Sequence, residues 1–142
     1  MTAKEYLLQL RKLQRNATNK QKEYKRIKES LTFLQGIAYD KDRVQTSPKD
    51  TLSETISSLV DAENEAVAAI TQYLDLYNDC VDKINSLSRY EYVEILSRRY
   101  LEDDYQKRRL VSIACDLNFS YERVKHMHGE ALQEFSRKYL ES

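Results

Sequence analysis

The groups in this chain best suited to meet a base edge or a phosphate stand together just past Asn118-Phe119-Ser120: Tyr121, Glu122, Arg123, Lys125 and His126, with His128 beside them. If this stretch is a helix, Val124, Met127, Ala131, Leu132 and Phe135 take its inner side at 3.6-residue spacing, and the polar set falls on or beside the open side. Upstream, Leu110, Ile113, Ala114 and Leu117 repeat that spacing, and Ala114 is small where a second helix must cross closely. In the link, Asn118 tolerates the left-handed conformation that ends a helix, Phe119 can plug the angle between helices, and Ser120 can cap the next helix with its hydroxyl. Two short helices with a fixed turn form a helix-turn-helix signature, whose second helix enters the DNA major groove by its N-terminal end. The chemistry is recognition: hydrogen bonds to bases and neutralisation of phosphates.

Other chemistries find no support in spacing. His126 and His128 are two apart and diverge by about 200° on a helix, with no further ligand in view, so a closed zinc site is not expected. Cys80 and Cys115 lack CxxC spacing and read as reduced filler. No Ser/His/Asp set and no glycine-rich phosphate loop is visible, and the many carboxylates lie on helix flanks. No catalytic residue, metal or cofactor is expected, and the chain reads as non-enzymatic.

The elements that must position this stretch are also helical. Two Gly and one Pro among 142 residues leave few turns, so the fold class expected is all-α. From Tyr6 a 4-3-4-3 spacing runs through Leu10, Leu13, Ala17, Lys20, Tyr24, Ile27, Leu31, Leu34 and Ala38, broken only by Lys20. That is a heptad pattern, and it should end near Gly36 to Tyr39. Ser47-Pro48-Lys49-Asp50 signals a second start, by capping hydroxyl, Pro and acid. The spacing then resumes through Leu52, Ile56, Leu59, Glu63, Ala66, Ile70, Tyr73, Tyr77, Cys80, Ile84 and Leu87, with Val60, Val67, Leu74 and Val81 widening the face. Two such helices most simply fold back as an antiparallel, coiled-coil-like hairpin. A symmetric loop would pair Leu34 with Ile56 and Tyr6 with Ile84. After Ser88 a third helix holds Tyr92, Val93, Leu96 and Tyr100 and ends or kinks at Asp103-Asp104. The expected organisation is a hairpin stalk over 1–87 and a three-helix head over 88–142.

Formal net charge is zero, so no overall basic field points to nucleic acid, but the charge is sorted along the chain. Residues 1–30 hold nine Lys or Arg and three Glu, residues 47–85 two Lys and eight acids, and residues 86–142 ten of each sign. Lys20, Lys22, Lys25, Arg26 and Lys28 can grip nucleic acid or lie against the acidic second helix; the apolar stripe, which needs a partner, favours the second use. The polar loop Tyr39 to Asp50 fits a solvated turn or a partner contact. No apolar run approaches a membrane span and no signal-peptide core is visible, so a soluble, cytoplasmic protein is expected.

The stretches YVEILSRRYLED and VSIACDLNFSYERVKHMHGEAL resemble the C-terminal domain of bacterial sigma factors, which reads the minus-35 promoter element; the match covers about residues 89–139. The whole chain, including YDKDRVQTSPKD, is similar to a family of small phage and prophage proteins of Gram-positive bacteria, near RinA-type and ArpU-type late-gene regulators. The sigma resemblance implies base contacts by Tyr121, Glu122 and His126 and phosphate contacts by Arg123 and Lys125. Tyr121 stands where Arg is usual, His126 where Gln is usual, and Gly129 in mid-helix. These departures bear on the base sequence read rather than on docking geometry.

The expected function is therefore a phage-type transcriptional regulator that binds DNA through the head. Its stalk would mediate self-association, as a homodimer, or contact with RNA polymerase. The balanced charge of the head supports an alternative, a protein-interaction adaptor that contacts RNA polymerase or another host protein without touching DNA. Arg98, Arg99, Lys107, Arg108 and Arg109 are further candidates for phosphate contact or for plain solvation.

Overall fold

The computed structural model describes residues 1–39 and 48–141, and the elements there are all helical. In order they are α1 (Ala3–Tyr39), α2 (Pro48–Asn85), α3 (Tyr90–Leu96), a π-helical turn (Ser97–Leu101), α4 (Tyr105–Arg108), α5 (Leu110–Leu117) and α6 (Tyr121–Tyr139). Residues 40–47 of the expected loop, and with them the Ser47 cap, lie outside the described residues. Contacts divide the chain into two compact units, Leu13–Tyr73 and a second made of Met1–Lys12 with Leu74–Ser142.

In the unit Leu13–Tyr73 the segments of α1 and α2 run antiparallel. Lys20 Nζ meets Glu65 Oε2 at 3.0 Å, while Glu23, Arg26, Ile27 and Ser30 share a surface concavity with Glu54, Thr55 and Ser58. Lys20, the break in the first stripe, thus finds an acid across the pair, as a basic helix against an acidic one should. Two helices alone cannot enclose large side chains. The residues buried here are Ala17, Ala62, Ala66 and Ala69, whose small size lets the backbones approach closely. Leu13, Tyr24, Ile27, Leu31, Leu34, Leu52 and Leu59 are half-buried beside them. The pairing of Leu34 with Ile56 is not realised as a core contact, because Ile56 points outward, as do Val60 and Val67. The widened face expected of α2 is here an open one.

The other unit has a core of large side chains. Leu7, Ile84, Ile95, Leu96, Ile113, Val124 and Phe135 are fully buried together with Cys80. At up to about 3 kcal/mol for each large apolar side chain removed from water, this set is what holds the C-terminal helices in place. Residues 1–12 belong to it. Tyr6 packs on Phe135 with ring centroids 5.8 Å apart, and Arg11 donates to the carbonyl oxygens of Tyr100, at 3.1 Å, and of Glu102. The register at this end also differs from Tyr6 against Ile84. The Tyr6 hydroxyl donates to Asp79, and Lys83 Nζ lies 3.2 Å from that hydroxyl and 2.9 Å from Asp79 Oδ2. Burial, with the Asp79 carboxylate second, pushes the Tyr6 hydroxyl up to about 12. Leu74, at the start of this unit's share of α2, is exposed.

The third helix ends as expected before Asp103-Asp104, although by an unexpected route. The α-helix stops at Leu96 and a π-helical turn carries Ser97 to Leu101. Asp104 then caps a one-turn helix, accepting from Gln106 N at 2.8 Å.

Candidate nucleic-acid interface

The link between α5 and α6 is set by three local choices. Asn118 adopts φ 59° and ψ 41° and is the one non-glycine residue with positive φ among those described. Its N–H donates to Cys115 O at 3.2 Å, and Phe119 N–H reaches back to Ala114 O at 2.9 Å. This pair of bonds satisfies carbonyls that the end of α5 would leave open. Ser120 is extended, and its Oγ accepts from Arg123 N at 3.2 Å, capping α6. Val124, Met127, Ala131 and Phe135 then fall inward and are buried, with Ile113 and Ala114 of α5. All three roles expected of Asn118, Phe119 and Ser120 concern this turn; Phe119 is half-buried there and carries the Arg123 guanidinium 4.1 Å above its ring.

With the inner side committed, Glu122, Lys125, His126, Gly129, Glu130 and Gln133 line a shallow open concavity of about 420 Å³ on the outside of α6. Of the residues singled out in the sequence, Glu122, Lys125 and His126 are brought together here. Tyr121 is exposed at the first turn. Arg123 and Lys125, two apart on the helix, lie about 160° from one another around its axis, one on each flank. His128 is the exception. It turns inward, half-buried, with Nε2 2.8 Å from the Tyr100 hydroxyl, and is not part of the open side.

His126 is exposed but held, its Nε2 donating to Glu130 Oε1 at 2.6 Å. The other Glu130 oxygen accepts from the Tyr92 hydroxyl, which holds the Glu130 carboxyl below the usual carboxylate range. Arg89 sits 5.3 Å over the Tyr92 ring. The imidazole is therefore presented with Nδ1 as its remaining polar atom. Reading by Nε2 would first require Glu130 to let go.

The auxiliary cations divide. Arg98 pairs with Glu94 at 3.1 Å and Asp116 at 3.5 Å. Arg99 donates to Arg108 O at 2.8 Å. Arg108 is half-buried, with Nε enclosed and unpartnered and its guanidinium 5.7 Å over Tyr105. These three serve the fold. Lys107, Arg109, Arg123 and Lys125 are exposed, and among the described residues the Arg109 side chain reaches only the Gln106 side chain, at 3.4 Å.

Glu130 and Gln133 were not singled out by sequence, although 122, 126, 129 and 133 repeat a 4-3-4 spacing that marks an outer stripe as surely as an inner one. Among the described residues no cluster of three or more His, Cys, Asp or Glu could hold a metal ion, and no helix is long and apolar enough to cross a membrane. Cys80 is buried, and burial pushes its thiol up to about 12, whereas Cys115 is exposed.

Set against known proteins, no family, curated protein or solved structure matches this chain.

Proposed function

We propose that this chain is a non-enzymatic, phage-type transcriptional regulator of the bacterial cytoplasm that binds DNA by laying the N-terminal half of α6 in the major groove. In this reading α5, the Asn118–Ser120 turn and α6 form a sigma-like helix-turn-helix in a head formed by residues 88–142, carried on a helical hairpin that self-associates or contacts RNA polymerase. The observation that carries it is the open side of α6. Glu122 and His126 offer hydrogen-bonding groups on the open side of the N-terminal half of α6, with Gly129 leaving room beside them, and Arg123 and Lys125, both exposed, lie to either side as candidate phosphate partners. Tyr121 stands at the entering end.

The test is recovery of genomic fragments by the purified protein across a salt series. Enrichment of one site is expected, with Arg123→Ala plus Lys125→Ala weakening binding and lowering the salt slope by about two units. An unchanged slope rejects the groove assignment. Ten charges of each sign over residues 86–142 favour a second reading, an adaptor that contacts RNA polymerase or another host protein. A stoichiometric partner retained after nuclease treatment, without DNA enrichment, would select it.

A further inference from the structure

The His126 imidazole is oriented from a second helix. Its side chain is 78% exposed, yet Nε2 is taken up by Glu130 Oε1 at 2.6 Å, one turn further along α6. On an exposed helix such a pair is weak by itself and leaves both side chains free to turn. Here Glu130 is itself held. Its other oxygen accepts from the hydroxyl of Tyr92, a buried residue of α3, and the Arg89 guanidinium lies over the Tyr92 ring. Tyr92, Glu130 and His126 thus form a chain that runs from the buried side of α3 to the open side of α6, its last member the most exposed.

The chain has a direction of donation. The hydrogen bond from Tyr92 keeps the Glu130 carboxyl below the usual carboxylate range, and a carboxylate has no proton to give. The bond to Glu130 therefore requires the hydrogen on Nε2. A neutral imidazole carries one N–H, so with Nε2 committed, Nδ1 is left as a lone pair. His126 meets a ligand as an acceptor. Glu122, exposed one turn earlier and lining the same concavity, is an acceptor as well. In the major groove an acceptor pairs with the exocyclic amino groups, N6 of adenine and N4 of cytosine, and is opposed by guanine O6 and N7 and by thymine O4.

We infer that Glu130 and Tyr92 are positioning residues that make His126 a hydrogen-bond acceptor for the exocyclic amino group of an adenine or cytosine in the major groove. The inference rests on the DNA-binding reading, and its test has one arm without DNA and one with it. In the free full-length chain, ring-nitrogen shifts of His126, followed upward in pH until they stop changing, should be those of a single tautomer with the hydrogen on Nε2. Glu130→Gln, whose amide can donate as well as accept, should move them towards a mixture. In the second arm, the base pair at which His126→Ala loses discrimination within the recovered genomic site marks what His126 reads. Deleting the amino group there, as purine for adenine or 2-pyrimidinone for cytosine, should weaken wild-type binding about fivefold. Replacing a purine N7 by carbon at that pair should change nothing. The amino-group effect should vanish in His126→Ala and shrink in Glu130→Gln and Tyr92→Phe. Because each protein is compared on matched duplexes, a general change in its stability or charge does not move this ratio. Recovery of no site rejects the DNA-binding reading and this inference with it. A recovered site at which His126→Ala loses no discrimination, at which the amino group is irrelevant to the wild type, or at which Glu130→Gln keeps the full effect overturns the inference and leaves that reading standing. So does a mixture of tautomers in the free wild-type chain.

Discussion

The His128 imidazole stacks on the Tyr100 ring, centroids 5.7 Å apart, with Nε2 2.8 Å from the Tyr100 hydroxyl. Burial, reinforced by the positive charges of Arg99 and Lys4, pushes His128 down to about 4. Burial also pushes Tyr100 up to about 12, so the hydroxyl keeps its proton for a neutral imidazole. The sign of the pH effect follows. Between about 4 and the ordinary value of 6.5 the unfolded chain binds a proton at His128 that the folded chain does not. The stabilisation by the neutral, buried ring is complete above pH 6.5 and declines as pH falls through that window. Urea midpoints should drop from pH 7 to pH 4.5 more in the wild type than in His128→Gln. The His128 ring resonances should titrate near 4; a midpoint near 6.5 would show that the ring is solvated.

His128 also shows where sequence reading stops. Its position beside the open side of α6 was legible from the 3.6-residue period, but a residue at the edge of a stripe can turn either way, and Tyr100 decides it from another helix. The same ambiguity governs Val60 and Val67. They widen the apolar face of α2 on paper, yet a two-helix pair covers one edge of so wide a face and leaves the other, and the period alone does not say which. By contrast Asn118 and Ser120 were legible because their roles are local. Each satisfies a backbone group a few residues away. Contacts such as Tyr6 with Asp79 and Phe135, or Arg11 with the Tyr100 and Glu102 carbonyls, join residues more than seventy positions apart and leave no local pattern to read.

The turn before α6 can be tested through its backbone. Asn118 at φ 59° lies where a Cβ is crowded by the following carbonyl, a strain that Asn tolerates and Gly escapes. Asn118→Ala should cost about 1 kcal/mol in urea denaturation, while Asn118→Gly should stay within about 0.5 kcal/mol of wild type. Ser120→Ala, which deprives Arg123 N–H of its acceptor, should cost about 1 kcal/mol by a separate mechanism. Equal stability of the Asn118→Ala and Asn118→Gly proteins would mean that the link is not left-handed in solution.

Gly129 offers a test that separates folding from recognition. A glycine inside a helix costs about 0.5–1 kcal/mol relative to alanine, and a Cβ built at Gly129 meets nothing within 4 Å. Packing within the chain therefore does not ask for glycine there, and Gly129→Ala should stabilise the protein by about that amount. The residue lines the outer concavity of α6 with Glu122, Lys125, His126, Glu130 and Gln133. If DNA enters that concavity as proposed, the added methyl obstructs close approach, and affinity for the recovered site should fall several-fold while the melting temperature rises. Gly36, in α1 and equally uncrowded, is the matched control. Gly36→Ala should stabilise comparably and leave affinity unchanged. A Gly129→Ala protein that gains stability and keeps full affinity would place the DNA elsewhere than on this side of α6.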